Sequence, residues 1–257
     1  MDTVFVPGAP RIALSVAGSG PLIVFLHGIG GHRQHWAAQV EFFSKDFKAV
    51  AWDARGYGDS GDYDDPLRFD DFADDLLRVL DYLEARKAHV VGLSMGGRIA
   101  RSFALQHPGR VRTLTLANTS PGFDALSAGE VQRFVEERRN RRLDSLGRLL
   151  GSRAQPQAHA ALKASFEALR KASYLKTLEA SVSQDRAAPL ENLAVPTLVI
   201  AGDEDPVYPQ ALARGMARRI PGAELVVLEG CGHLSNLEQP ERFNDALLDF
   251  LSRRTHE

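Results

Sequence analysis

Ser94, His233 and an aspartate at 203 or 205 are the residues of this sequence whose types and spacing could do nucleophilic chemistry. A serine hydroxyl is a weak nucleophile until a histidine takes its proton. The histidine in turn needs a carboxylate to fix its tautomer and stabilise the imidazolium. Ser94 lies in the run Val90-Val91-Gly92-Leu93-Ser94-Met95-Gly96-Gly97. A β-branched apolar stretch there ends in G-x-S-x-G, and a helix-forming segment, residues 98–104, follows. A serine raised clear of a sheet needs a sharp strand-to-helix turn, and glycines on both sides let neighbouring backbone approach. Such a turn also sets the Met95 N–H at a helix N-terminus, where a developing oxyanion can be stabilised.

Eight histidines are present, so context decides among them. His233 follows Gly230-Cys231-Gly232 at the end of an apolar stretch, residues 224–228. His27, His107 and His256 read as a turn residue, a helix end and part of the tail. A buried-strand pattern over 196–202 runs straight into the acidic turn Asp203-Glu204-Asp205-Pro206. Asp205 is the preferred acid, because the Asp-Pro step closes the loop three residues past Gly202. Asp203 reads as a turn aspartate bonding local backbone. Serine, acid and histidine therefore follow strand ends in that order, at the edge where open parallel sheets gather their binding groups. A second oxyanion donor is expected from the glycine-rich turn after the apolar run 22–25, Leu26-His27-Gly28-Ile29-Gly30-Gly31. Ile29 is the expected donor and Met95 its partner. Neither G-x-x-x-x-G-K-S/T nor G-x-G-x-x-G occurs there, which argues against phosphate binding.

These residues need a scaffold, and the hydrophobic pattern supplies one. Strand-like segments fall at 12–16, 22–25, 49–52, 89–91 and 113–116, with helical patterns between the later ones, as over 72–80. The alternation predicts a mainly parallel sheet covered on both faces, with an antiparallel start. From 124 to 187 the sequence reads as helix throughout, rich in Ala, Leu, Glu and Arg. The expected division is a core of residues 1–120 and 190–257 with a helical cap, 121–189, over the serine edge. Arg133, Arg138, Arg139, Arg141 and Arg142 either form a solvated helix face or send one or two guanidinium groups to an anionic substrate. The net charge of −2 argues against a nucleic-acid partner or a polybasic membrane surface. No apolar run of spanning length and no leader pattern appears, so the expected location is the cytoplasm. The single cysteine, Cys231, excludes an intrachain disulfide, and no metal-ligand spacing is present.

The chain resembles the α/β-hydrolase superfamily over essentially its full length. The matching pieces are His27-Gly28, the stretch Asp53-Ala54-Arg55-Gly56-Tyr57-Gly58-Asp59-Ser60, the run from Gly92 to Gly97, Gly202 to Asp205, and Gly232-His233. Within it the chain is most similar to 3-oxoadipate enol-lactonases and related carboxylesterases. Leu116-Ala117-Asn118-Thr119, Asp185 and Gly232-His233-Leu234-Ser235-Asn236-Leu237-Glu238-Gln239-Pro240 carry that likeness. The resemblance implies an α/β fold with a mostly parallel eight-stranded sheet flanked by helices and an inserted helical cap. It implies Ser94, Asp205 and His233 as a triad, Ile29 and Met95 as oxyanion donors, no cofactor, and hydrolysis of a small ester or lactone. The stretch 53–60 is architectural by the same comparison. Two departures stand out. The cap holds no tryptophan, since both, Trp36 and Trp52, lie in the core region. Arg98 replaces the usual small or apolar residue, either as a substrate-carboxylate ligand or as the partner of a surface acid. Two alternatives share these motifs: the same triad turned to C–C hydrolysis or perhydrolysis, and a ligand receptor that keeps the fold.

Overall fold

The computed structural model describes residues 1–64, 66–123, 127–140, 143–184 and 189–254. Its centre is an eight-stranded sheet of β1 (Asp2–Val6), β2 (Ile12–Ala17), β3 (Leu22–Leu26), β4 (Lys48–Trp52), β5 (Ala88–Leu93), β6 (Val111–Ala117), β7 (Thr197–Gly202) and β8 (Glu224–Leu228). The spatial order is β1-β2-β4-β3-β5-β6-β7-β8. Pairings β1–β2 and β2–β4 are antiparallel, and those from β4 across to β8 are parallel. The α/β expectation with an antiparallel start is the observed architecture. The sheet has one strand more at its start than the hydrophobic pattern marked: β1 is half exposed at the edge, so its alternation is weak.

Successive side chains on a strand face opposite sides, and the two apolar clusters show it. Val24 and Leu26 join one cluster, Ile23 and Phe25 the other. The first face is covered by α2 (Asp71–Tyr82), α3 (Met95–Gln106) and α7 (Gln210–Arg219), through Phe72, Leu76, Ile99, Phe103 and Met216. The second is covered by α1 (Ala37–Phe43) and α9 (Pro240–Ser252), through Val40, Phe43, Phe243, Leu247 and Phe250. Burying each such side chain contributes about 1.5–3 kcal/mol relative to exposure. In α2, Phe72, Leu76, Val79 and Leu80 fall on one face, and Asp71 and Asp74 in the first turn oppose the helix dipole favourably. The chain leaves α2 through Glu84 in the left-handed region, φ 55°.

Between β6 and β7 the sheet is interrupted by helices: α4 (Ala128–Arg139), a 3₁₀ segment (Leu143–Leu149), α5 (Pro156–Glu167) and α6 (Lys171–Gln184). Among the described residues no strand occurs there. The helix expected throughout is broken instead into pieces, at Gly151 and at Pro156, which opens α5. Ser127 and Glu130 form a capping box at the start of α4. Asp185, Arg141, Arg142 and His256 lie outside the described residues.

The stretch 53–60 is bound into the core. Asp53 Oδ1 accepts from the Arg33 N–H (2.6 Å), its Oδ2 from the Asp59 N–H (2.8 Å), and it pairs with the Arg33 guanidinium. Ser60 Oγ donates to the Asp53 carbonyl (2.6 Å) and accepts from the Ala13 N–H (2.8 Å).

Candidate active site

The parallel strands end on one edge, and five of the six deliver one group each to it. Ser94 follows β5, Asn118 follows β6, Asp205 follows β7, His233 follows β8, and Ile29 follows β3. Ser94 occupies φ 55°, ψ −115° at the start of α3. That strained turn closes because its neighbours have no side chains: a Cβ on Gly92 would lie 2.1 Å from the Gly96 carbonyl oxygen, and one on Gly96 would lie 2.1 Å from that of Leu26. The Ser94 N–H donates to Ala117 O (2.9 Å), and Thr119 Oγ1 donates to Ser94 O (2.7 Å), tying the turn to the neighbouring strand.

Ser94 Oγ lies 3.0 Å from His233 Nε2, and His233 Nδ1 lies 3.0 and 3.1 Å from the two oxygens of Asp205. With a carboxylate on Nδ1, that nitrogen carries the proton and Nε2 is left to accept from the serine. Asp205 Oδ1 also accepts from the N–H groups of Val207 (2.8 Å) and Tyr208 (3.1 Å), and Oδ2 from Asn118 Nδ2 (3.0 Å). Burial works to raise this carboxyl. The His233 imidazole, the Asn118 amide and the Tyr208 N–H outweigh it and hold the group below the usual carboxylate range.

Asp203 bonds backbone, but across the loop and not locally. Its Oδ1 accepts from the N–H of Gly230 (2.7 Å) and Cys231 (3.3 Å), steadying the approach to His233. Cys231 is buried beside it, and burial together with Glu238, Asp205 and Asp203 pushes its thiol up, away from the thiolate form.

His27 does more than fill a turn. Its Nε2 accepts from the Ala54 N–H (3.0 Å), so Nδ1 carries the hydrogen and donates to Gly28 O (2.8 Å). Gly31 N–H donates to the same carbonyl (3.0 Å). In a trans peptide C=O and N–H point oppositely, so holding the Gly28 carbonyl turns the Ile29 N–H to the other side. Burial lowers the His27 imidazole to about 4, keeping this neutral tautomer. Gly28 itself packs on the Ser94 turn, its absent Cβ falling 3.1 Å from Ser94 Cβ.

Ser94 and His233 open into a cavity of about 280 Å³, walled by Ile29, Leu93, Leu146, Leu162, Phe166 and Leu175 among others. Its cations come from the insertion: Arg138, Arg139 and Lys171 line it. Arg138 is buried with its guanidinium over the Phe134 ring, while Arg139 and Lys171 are exposed. Arg98 is placed elsewhere. One turn into α3, it is buried beneath the elbow with its guanidinium 4.5 Å from the Phe123 ring centre and 5.4 Å from that of Phe69, and it is not among the cavity residues. Arg133 is exposed. His35, a wall residue with no sequence signal, bonds Ser165 of α5.

Asn118 is another site residue whose role sequence reasoning passed over, although it stood in a matched run. In the left-handed region at φ 44°, it donates to Asp205 and to Gly232 O (3.0 Å) and accepts from Ser235 Oγ (2.5 Å). An asparagine at a strand end, a residue type that tolerates positive φ, was the available signal.

Among described residues no group of His, Cys, Asp and Glu is arranged to hold a metal, and no helix is long and apolar enough to cross a membrane. Similarity to known proteins runs through the whole chain. It is 28% identical to 3-oxoadipate enol-lactonase 2 of Acinetobacter baylyi, covering 95% of each chain. It is 29% identical to the poly(3-hydroxyalkanoate) depolymerase of Ectopseudomonas oleovorans, covering 96% of this chain and 87% of that one. The enol-lactonase structure from Burkholderia xenovorans superposes with a TM-score of 0.86 at 27% identity, over 98% and 100% of the two chains. The alpha/beta hydrolase fold model matches residues 21–240, and the chain belongs to that family.

Proposed function

We propose that this protein is a serine hydrolase that cleaves a small carboxylic ester or lactone through an acyl-enzyme. The hydrogen-bonded series Ser94 Oγ, His233, Asp205 carries the reading. Ser94 attacks the carbonyl carbon as His233 Nε2 takes its proton, and Asp205 stabilises the imidazolium. The carbonyl oxygen gains the charge between the N–H groups of Ile29 and Met95. Neither enters the local turn bonds, which run from Gly31 to Gly28 O and from Gly97 to Ser94 O. His233 then protonates the departing alkoxide, takes a proton from water as the hydroxide adds to the acyl carbon, and returns that proton to Ser94 Oγ as the Oγ–acyl bond breaks and the acid leaves. In this reading residues 121–189 are a cap that walls the acyl pocket on a core of 1–120 and 190–257.

The likeness to enol-lactonases and a polyester depolymerase supports an ester or lactone as the bond cleaved. A carboxylate on the substrate has support from Arg138, Arg139 and Lys171 on the cavity wall, and none from Arg98. Turnover of a panel of activated esters, aliphatic and aromatic lactones and carboxylate-bearing lactones tests this, with mass spectrometry for acyl-Ser94. A covalent acyl adduct that disappears in Ser94→Ala is expected. Undiminished turnover in Ser94→Ala overturns the reading.

A further inference from the structure

We infer that Glu238 is a positioning residue for His233 and fastens the base to the helical insertion. The inference rests on the serine-hydrolase reading. Glu238 closes α8 (Ser235–Glu238) and is wholly buried. Its Oε2 accepts from the N–H groups of Gly151 (2.7 Å) and Gly232 (2.8 Å), and its Oε1 from that of Leu234 (2.8 Å). Gly232 and Leu234 flank His233 in the chain. The His233 N–H donates to Leu149 O at 2.7 Å. Three consecutive N–H groups are therefore held, two by one carboxylate and one by a carbonyl of the insertion. With its backbone fixed, His233 retains two side-chain torsions, and the bonds to Asp205 and Ser94 select those.

The chemistry calls for a carboxylate. Three N–H groups converge on two oxygens, and a glutamine offers one accepting oxygen and an NH₂ that cannot accept. A buried carboxylate is costly to desolvate, and charge-assisted bonds to N–H groups are the strong kind that offset this. The two backbones touch: a Cβ on Gly232 would lie 2.4 Å from Leu149 O, and one on Gly151 would lie 2.6 Å from the Gly232 nitrogen. Leu149 also lines the cavity. The insertion thus supports the base as well as walling the pocket. In the sequence this carboxylate was legible only as part of a matched run.

Full-length Glu238→Gln and Glu238→Asp are compared with wild type on a small activated ester. In Glu238→Gln, kcat should fall on the order of 10- to 100-fold, the scale of a small misplacement of a reacting group. KM should stay within about threefold, since no cavity-lining side chain is replaced. The downfield proton resonance of the His233 Nδ1–H bond to Asp205 should broaden or vanish in a folded amide spectrum. Glu238→Asp keeps both oxygens and should recover part of kcat. Ser152→Ala serves as control, because it removes another bond of the insertion, Ser152 Oγ to Glu204 (2.8 Å), while leaving the anchors of His233; its kcat should match wild type. Wild-type kcat and an unaltered resonance in Glu238→Gln overturn the proposal, as does an equal kcat loss in Ser152→Ala. If Glu238→Gln does not fold, the same two readings on Glu238→Asp decide, and wild-type values there overturn it. Failure of the serine-hydrolase reading shows separately, as undiminished turnover in Ser94→Ala, and the resonance still reports on Glu238.

Discussion

At the sheet edge Ser94, Asn118 and Asp205 hang from strands whose residues are almost wholly buried, His233 from the half-buried β8, and backbone groups hold each of them. Across the cavity, Arg138, Arg139 and Lys171 stand on or beside helices packed through a small cluster around Phe123, Phe134 and Leu178. The edge positions its groups through strand geometry, which tolerates little change. The insertion lines the cavity through side chains, which can be exchanged without moving a reacting atom. Substitutions at the edge should therefore change the rate with every substrate, and substitutions in the insertion should change which substrate is preferred.

The largest effect belongs to the edge. Ser94→Ala should lower kcat on the order of 10⁴-fold or more, His233→Ala similarly, and the double variant little further, because nucleophile and base act as a unit. Steady-state kinetics on one activated ester decides this, and additive losses would count against the pair. Asp205→Asn should cost on the order of 10³- to 10⁴-fold, since it spoils the His233 tautomer. Asp203→Asn keeps the Oδ1 that accepts from Gly230 and Cys231, so it should stay active and lose only the charge assistance of those bonds, about 1 kcal/mol of stability. A reversed ranking in the same assay would reassign the acid.

Acid should weaken both regions, through different histidines. Burial lowers His27 and His89 to about 4 and His35 to about 3. The unfolded chain protonates its histidines near pH 6.5. Above that pH these three are neutral in both states and cost nothing. As the pH falls from about 6.5 towards 4, the unfolded chain binds protons that the fold refuses, and stability drops. Each full unit of depression is about 1.4 kcal/mol. Urea midpoints at pH 7.5 and 4.5 should differ strongly, and His35→Gln should narrow the gap. An unchanged gap would place the acid sensitivity in the sheet alone.

The insertion is tested by preference. Arg139→Met with Lys171→Met should erase a preference of about 10- to 100-fold for acidic over neutral esters of matched size, the scale of a charge-assisted bond of about 1.5–3 kcal/mol. Turnover of a small neutral ester should be unaffected. The smallest effect expected is Ser165→Ala, which removes the His35 contact between insertion and core. It should cost about 1 kcal/mol in thermal unfolding with kcat intact.

Legibility in the sequence followed the same division. G-x-S-x-G, the acidic turn and Gly232-His233 were readable because strand-end turns need particular residues at fixed offsets. The edge strand β1 was faint because Asp2, Thr3 and Phe5 are exposed and break its alternation. Asn118, Glu238 and His27 carried no comparable signal of role. Their parts are bonds between segments far apart in the chain, 87 residues for Asn118 with Asp205 and 87 for Glu238 with Gly151.

By itself the sequence determined the alternation of strands and helices, the turn that exposes Ser94, and the order of serine, acid and histidine. These rest on local sterics and hydrophobic period, which act within a few residues. Tertiary structure alone decided that Asp205 reaches His233 while Asp203 ties down its loop, that Arg98 packs against Phe69 and Phe123, and that Arg139 and Lys171 reach the cavity. The reason is that a side chain's partner depends on how strands order in the sheet and where the insertion docks. Both are settled by packing over the whole chain.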